Sequence, residues 1–319
     1  MTDPGHRLLS SAVPRPLVWT LYACLVLIWS STWVAIKIGL EDVPPLLSAG
    51  IRFAIAGGGL LTLARALGRP LRTDVRLATV MAFLPFAAAY GLIYWGEQYV
   101  PSGLAAVLFG MMPLYSATIA SLALADEPLH ARLLAGIAVA IGGLALAFGE
   151  SIALGDAKWA LLAATACAVA PLASAIGNVA IKRRGQKLDP IALNGWAMLG
   201  GGALLLIASA PAEDWGTAAW TNQAVGSVAY LAVIGSAVPF VTLTILLREL
   251  RAVTVSYITL LLPFGALLFG AALYDERITA AALGGAALVA AGLAVTVQRP
   301  ERGAPRGRPR PSRSAVPPQ

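Results

Sequence analysis

Three charges carried by otherwise apolar stretches, Arg52, Lys37 and Glu97, are the side chains best placed to do chemistry. A charge at the centre of a bilayer costs about 3 kcal/mol on insertion scales, so its retention indicates a function. We expect Arg52 and Lys37 to bind an anionic group of a solute, with a structural ion pair or anchoring at the membrane surface as alternatives. Glu97 is the best candidate carboxylate for proton coupling, because an apolar environment favours the protonated form. Pairing with Arg52 or Lys37 is the favoured interpretation of this residue.

Aromatic and uncharged polar residues form a second set of candidates for contact with a solute. Aromatic rings can enclose a planar or amphipathic solute, although they also form belts at membrane surfaces. Polar groups in lipid contact either a solute or a neighbouring helix. The candidates are Trp33, Tyr90, Tyr94, Trp196, Tyr257, Ser30, Thr32, Asn178 and Asn194.

Enzymatic and metal chemistry have little support. The chain has 2 histidines and 2 cysteines, without the paired spacing of a metal site. It also lacks the Gly-x4-Gly-Lys-Ser/Thr loop that would bind ATP. We therefore predict no catalytic residues, no metal and no cofactor.

Membrane-spanning helices must position these residues, because 58% of the 319 residues are hydrophobic and 12% are charged. A helix needs about 20 apolar residues to cross a bilayer, and only helices satisfy the backbone within such a run. We predict an all-α polytopic fold with ten spans. They lie near residues 18–36, 46–67, 77–96, 103–125, 131–149, 159–181, 191–210, 225–247, 253–273 and 279–297.

The distribution of basic residues predicts the orientation. Of 23 lysines and arginines, all but Lys37, Arg52, Lys158 and Arg277 fall on the side of the N-terminus, which leaves 19 there. Short loops rich in lysine and arginine stay in the cytoplasm. We therefore expect a cell inner membrane protein with both termini cytoplasmic. Much of the net charge of +7 lies in the terminal segments, so it does not indicate nucleic-acid binding.

An internal repeat relates the two halves. The tetrapeptide that ends at Lys37 recurs at Lys182, an offset of 145 residues. Two proline pairs also correspond, Pro85 with Pro239 and Pro113 with Pro263, and are the expected paired hinges. A repeat of five spans must be inverted in the membrane, because five is odd. We predict repeats at 17–149 and 150–297, between a cytoplasmic segment at 1–16 and a disordered basic tail at 298–319.

Several motifs in this order resemble the EamA-type carriers of the drug/metabolite transporter superfamily, in particular bacterial metabolite exporters. They are residues 29–37, Arg52-Phe53, residues 95–106, and the acidic pairs Asp126-Glu127 and Asp275-Glu276. The resemblance implies a central cavity lined by spans 1–4 and 6–9, with spans 5 and 10 as a peripheral scaffold.

The predicted function is a secondary transporter that exports an amino acid or a related amphipathic solute by alternating access. One alternative is a nucleotide-sugar or phosphorylated-sugar transporter, which would need more buried cations. Another is a membrane enzyme acting on a lipid-linked substrate, for which the acidic pairs are the only candidates. If the acidic pairs have no catalytic role, they are interpreted as negative charges that stabilise the N-terminal ends of spans 5 and 10. The expected partners are a small-molecule substrate and the lipid bilayer, with no nucleic acid, and a homodimer is left open.

Overall fold

The computed structural model describes residues 13–100, 102–148, 157–265 and 280–297, and all regular structure in these ranges is helical. Most of the predicted N-terminal segment, the whole predicted tail and residues 266–279 lie outside the described residues. The α-helices are α1 (Arg15–Leu40), α2 (Pro45–Ala66), α3 (Val75–Met81), α4 (Tyr90–Gly96), α5 (Ser102–Phe109), α6 (Met112–Ala123), α7 (Ala131–Phe148), α8 (Ala157–Arg184), α9 (Pro190–Ala212), α10 (Asn222–Ala232), α11 (Val238–Glu249), α12 (Ala252–Ser256), α13 (258–265) and α14 (Ala280–Val297).

Among the described residues, seven helical stretches are long and apolar enough to cross a membrane. They correspond to predicted spans 1 to 4 and 6 to 8, with α3 and α4 forming one stretch, α5 and α6 another, and α10 and α11 a third. Three shorter apolar helices occupy the positions of predicted spans 5, 9 and 10, at Ala131–Gly143, Ala252–Gly265 and Leu283–Val295.

Two lysines mark the two ends of the bundle. Lys37, near the end of α1, donates from Nζ to the carbonyl of Glu97 just after α4, at 3.0 Å. Lys182, near the end of α8, donates to the carbonyls of Leu247 (3.3 Å) and Leu250 (2.6 Å) at the end of α11. A cation beside the last carbonyls of a helix is favourable, because those groups carry partial negative charge. We refer to these as the Lys37 end and the Lys182 end.

Helix α2 connects the two ends. It begins five residues after α1 ends, and its 22 residues extend about 33 Å. Just beyond it, Arg69 pairs with Asp189 at 3.0 Å, and Asp189 in turn caps the start of α9 by accepting from the backbone of Ile191 and Ala192. The neighbouring helices α2 and α9 therefore run in opposite directions.

Irregular turns occur near three of the four predicted hinge prolines. Pro85 lies within a π-helical segment, Ala82–Ala89, and Pro239 follows another, Val233–Ala237. Proline cannot donate to the preceding turn and its ring crowds a carbonyl there, so a widened turn is the expected accommodation. Pro113 follows the break between α5 and α6, and Pro263 lies six residues after the turn at Tyr257.

Glycines allow two helix pairs to approach closely. A Cβ on Gly57 of α2 would lie 2.5 Å from the backbone nitrogen of Leu199 in α9, and one on Gly202 would lie 2.7 Å from that of Ala54. In α7 and α14, a Cβ on Gly143 would lie 2.6 Å from the carbonyl of Gly285. Each pair joins helices at corresponding positions of the two predicted repeats. Helices α2 and α9 are predicted spans 2 and 7, the second span of each repeat. Helices α7 and α14 are predicted spans 5 and 10, the last span of each repeat.

The α2–α9 contact gives a stability prediction. We expect Gly57→Ala to lower the unfolding temperature of the detergent-solubilised protein by several degrees, because the new methyl group meets backbone atoms that cannot rotate away; overpacking of this kind costs about 1–3 kcal/mol. Gly58→Ala is the matched control, since its Cβ would meet nothing within 4 Å. Scanning fluorimetry measures both, and equal unfolding temperatures would contradict the packing described.

Candidate functional site

A central cavity, partly open to the outside, lies between helices from both halves of the chain. From the first half, α1, α4, α5, α6 and the π-helical segment at Pro85 line it. From the second half, α8, α11, α12 and α13 do. The lining residues are Trp29, Thr32, Trp33, Ile36, Pro85, Tyr90, Ile93, Phe109, Met112, Ser174, Asn178, Phe240, Leu243, Val255, Ser256, Thr259 and Leu262.

Five aromatic side chains form much of the cavity wall. Trp29 packs edge-to-face on Phe240 with ring centroids 5.3 Å apart, and Trp33 packs similarly on Phe109 at 6.1 Å. Tyr90 lies 6.1 Å from Phe240. These mutual contacts restrict the rings, so the cavity presents stiff, flat surfaces.

Polar groups enter the cavity mainly from α8. Ser174 and Asn178 are four residues apart and so share one face of this helix. No hydrogen bond among the described residues involves either side chain. By contrast, the hydroxyls of Ser256 and Thr259 donate to carbonyls of their own helical segment, at 2.7 and 2.8 Å. The α8 side therefore offers polar groups that a solute can use.

Arg52 lies outside the cavity wall, with 1% of its surface exposed. Its guanidinium donates to the hydroxyls of Ser236 (2.7 Å) and Tyr94 (3.0 Å) and to the carbonyl of Gly235 (3.1 Å). It also lies 4.9 Å from the ring centroid of Tyr90, which does line the cavity. Within the described part of the chain, no carboxylate lies within 4.0 Å of Arg52. Each of the three guanidinium nitrogens thus donates one hydrogen bond to a protein group, which uses three of the five N–H donors.

A buried carboxylate joins four helices at the Lys182 end. Glu127, just after α6, is 1% exposed and accepts the backbone N–H of Ala252 at the start of α12, at 2.9 Å. The same carboxylate lies 3.6 Å from Nζ of Lys182 and 4.0 Å from Nε of Arg251. Since Lys182 also donates to Leu247, this cluster ties α6 to α8, α11 and α12.

The structure brings four of the predicted solute contacts, Trp33, Thr32, Tyr90 and Asn178, to the cavity wall. It places others elsewhere. Ser30 is buried, with its hydroxyl donating to a carbonyl one turn earlier, and Asn194 donates to Pro190 and Thr244.

Three predicted aromatic contacts also lie away from the wall. Tyr94 is turned toward Arg52. Trp196 is 42% exposed and donates from its indole to the carbonyl of Leu71, near the Lys182 end. Tyr257 packs in a separate buried cluster with α7 and α14, and its hydroxyl lies 3.5 Å from the carbonyl of Gly292. A helix that is apolar on every side gives no sign of which face a ring occupies.

The other predicted residues lie as follows. Lys37 bonds a helix end and Glu97 is fully buried, and neither lines the cavity. Of the hinge prolines, Pro85 lines it. The predicted set omits two lining residues, Ser174 and Phe240. Ser174 lies one helical turn before Asn178, and Phe240 directly follows Pro239. Their closeness in sequence to these predicted residues could have indicated them.

Comparisons with known proteins agree with this architecture. The EamA-like transporter family matches residues 17–149 and again residues 158–298. The "uncharacterized transporter YoaV" of Bacillus subtilis is 30% identical over 272 residues, 84% of this chain and 92% of that protein. The "uncharacterized inner membrane transporter YedA" of Escherichia coli K12 is 31% identical over 273 residues, 83% of this chain and 85% of its own length.

Two further similarities concern function and fold separately. A protein of Escherichia coli K12 named as a probable amino-acid metabolite efflux pump is 27% identical over 281 residues, 86% of this chain and 92% of that protein. A solved crystal structure with 19% identity superposes with a TM-score of 0.75, covering 89% of this chain and 97% of the other, which supports the fold alone. The two family matches and the long apolar helices make this chain a multi-pass membrane transporter rather than an enzyme, and it belongs to the EamA-like transporter family.

Proposed function

We propose that the chain is a secondary transporter that exports a small amphipathic metabolite, such as an amino acid or a related compound, by alternating access. The observation that carries this proposal is the central cavity, which helices of both matched segments line together. A relative named as an amino-acid metabolite efflux pump supports the choice of solute class. A phosphorylated sugar fits less well, since no lysine or arginine is among the described lining residues.

The proposal includes ten membrane spans in two inverted repeats, at residues 17–149 and 150–297. It also places the protein in the cell inner membrane, with both termini in the cytoplasm. Several paired features support the inversion. Lys37 and Lys182 cap helix ends at opposite ends of the bundle, and the π-helical segments recur near Pro85 and Pro239. Inverted repeats provide two related conformations, each open to one side of the membrane.

In this mechanism the two ends of the bundle open in turn. The Glu127 cluster joins α6 of the first half to α8, α11 and α12 of the second, so it must separate when the Lys182 end opens. At the other end, Nζ of Lys37 donates a hydrogen bond to the backbone carbonyl of Glu97. The widened turns at Ala82–Ala89 and Val233–Ala237 are the proposed bending points.

Counterflow in liposomes tests the proposal. Purified full-length protein is reconstituted, the liposomes are loaded with one unlabelled solute, and uptake of the same labelled solute is followed. We expect transient accumulation for at least one amino acid or neutral amino-acid derivative, and none in protein-free liposomes. A second series imposes a pH gradient, and a dependence on it that Glu97→Gln removes would support proton coupling through Glu97. Absence of exchange for every amino acid and derivative would contradict the proposed function.

A further inference from the structure

We propose that the central cavity selects a flat, uncharged amphipathic solute bearing hydrogen-bond acceptors, and that Arg52 positions the cavity wall without touching the solute. This inference rests on the proposed function and narrows it, because it favours neutral, ring-bearing compounds related to amino acids over the zwitterionic amino acids themselves. It differs from the sequence-based expectation that Arg52 binds an anion.

The described part of the cavity wall carries no charged side chain. None of the 17 described lining residues is acidic, basic or histidine. An ionised group that enters such a site loses its hydration and gains no opposite charge, at a cost of several kcal/mol. A solute that carries a carboxylate or an ammonium group is therefore disfavoured relative to its neutral analogue.

A positive charge lies behind the cavity wall. Arg52 donates from each of its three nitrogens to Ser236, Tyr94 and Gly235. It lies 4.9 Å from the ring centroid of Tyr90, a lining residue, and no carboxylate among the described residues lies within 4.0 Å of it. A medium of low dielectric constant screens such a charge weakly, so a cation in the cavity is repelled by it. Among charged analogues, a cationic solute should bind most weakly.

Aromatic rings give the cavity wall flat surfaces. The rings of Trp29, Trp33, Tyr90 and Phe240 are held by contacts with other rings. Flat solutes bury more area against such surfaces than branched ones, and ring-to-ring packing adds to the binding.

Donors without partners lie at the same wall. The indole nitrogen of Trp33 is buried and has no acceptor in the described part of the protein, and this side chain is only 7% exposed. A buried donor without an acceptor is unfavourable, and in this proposal an acceptor on the bound solute satisfies it. The carboxamide of Asn178 and the hydroxyl of Ser174 supply further donors. The wall therefore matches a ring with a neutral amide or carbonyl.

A matched series of indoles tests the selection, because its members differ only in the group that bears the charge. Full-length protein in nanodiscs is titrated with radiolabelled indole-3-acetamide, and indole-3-acetate, tryptamine and tryptophan compete. We expect the amide to bind at least about tenfold more tightly than the acetate, with tryptamine weakest. Equal or tighter binding of any charged member would overturn the proposal, as would failure of the amide to bind.

Two variants assign the contacts. Trp33→Phe keeps a ring and removes the N–H, and Asn178→Leu removes the carboxamide at similar volume. Each should weaken amide binding by about tenfold, which corresponds to about 1.4 kcal/mol. Trp196→Phe is the control, since that indole is 42% exposed and bonded to Leu71. Unchanged binding by both cavity variants, each with a normal elution volume and unfolding temperature, would overturn the assigned contacts.

The counterflow experiment separates failure of this inference from failure of the proposed function. Exchange of a zwitterionic amino acid without binding of the amide would overturn the inference and leave the transporter function intact. Absence of both would remove the proposed function as well.

Discussion

Arg52→Met is expected to reduce transport by about a hundredfold or more and to lower the unfolding temperature. The change removes one side chain that joins α2 to Tyr94 of α4 and to Gly235 and Ser236 before α11. The hydroxyls of Ser236 and Tyr94 are buried and would lose their donor, and each buried polar group left unsatisfied costs about 1–3 kcal/mol. The ring of Tyr90 would also lose its cation, and with it part of what fixes the cavity wall.

Initial counterflow rates and thermal unfolding measure this effect, and two comparisons interpret it. Arg65→Met is the control in the same helix, because Arg65 is exposed. Arg52→Lys keeps the charge and loses the planar fork that reaches three acceptors, so it should recover only part of the rate. A variant Arg52→Met with a normal unfolding temperature and a raised Michaelis constant for an anionic solute would instead support direct binding of the substrate by Arg52.

Replacing Glu127 by leucine should have an effect of similar size at the Lys182 end. The backbone N–H of Ala252 would lose its acceptor, and the 87%-buried side chain of Lys182 would lose its carboxylate. Removing one partner of a buried ion pair costs about 3–5 kcal/mol when the other charge remains. We expect a loss of transport of at least tenfold with reduced stability.

The neighbouring residue provides the control for Glu127. Asp126→Asn removes one negative charge at the next position, which is exposed, and should leave transport and unfolding unchanged. Glu127→Gln keeps an acceptor for Ala252 and should fall between the two. Equal transport rates for Glu127→Leu and Asp126→Asn would contradict the role of the cluster.

The lengths and composition of the apolar runs were sufficient to predict a helical fold, because runs of this length have one stable backbone form in lipid, the helix. They also indicated where helices deviate, since Pro85 and Pro239 lie in or beside the π-helical segments. Lys37 and Lys182 were recognisable as a pair from the repeated tetrapeptide, although their shared role at helix ends needed coordinates.

Side-chain direction could not be predicted in the same way. Asn194 and Trp196 are two residues apart in α9, yet the first is fully buried and the second is 42% exposed. In a soluble helix the polar face would indicate the outside, but lipid and protein core are equally apolar. Glu127 illustrates a second difficulty. Its position suggested a charge at the start of α7, whereas the carboxylate caps α12, more than a hundred residues along the chain.

The glycine contacts between α2 and α9 and between α7 and α14 also bear on how the chain folds. Gly57 meets Leu199, and Gly143 meets Gly285, so each interface joins segments separated by about 140 residues. Contacts of such long sequence separation form late, and exposed surfaces before that stage favour misassembly. Helices α2 and α7 therefore leave the ribosome with these packing faces uncovered, and the face of α7 stays uncovered until α14 has entered the membrane.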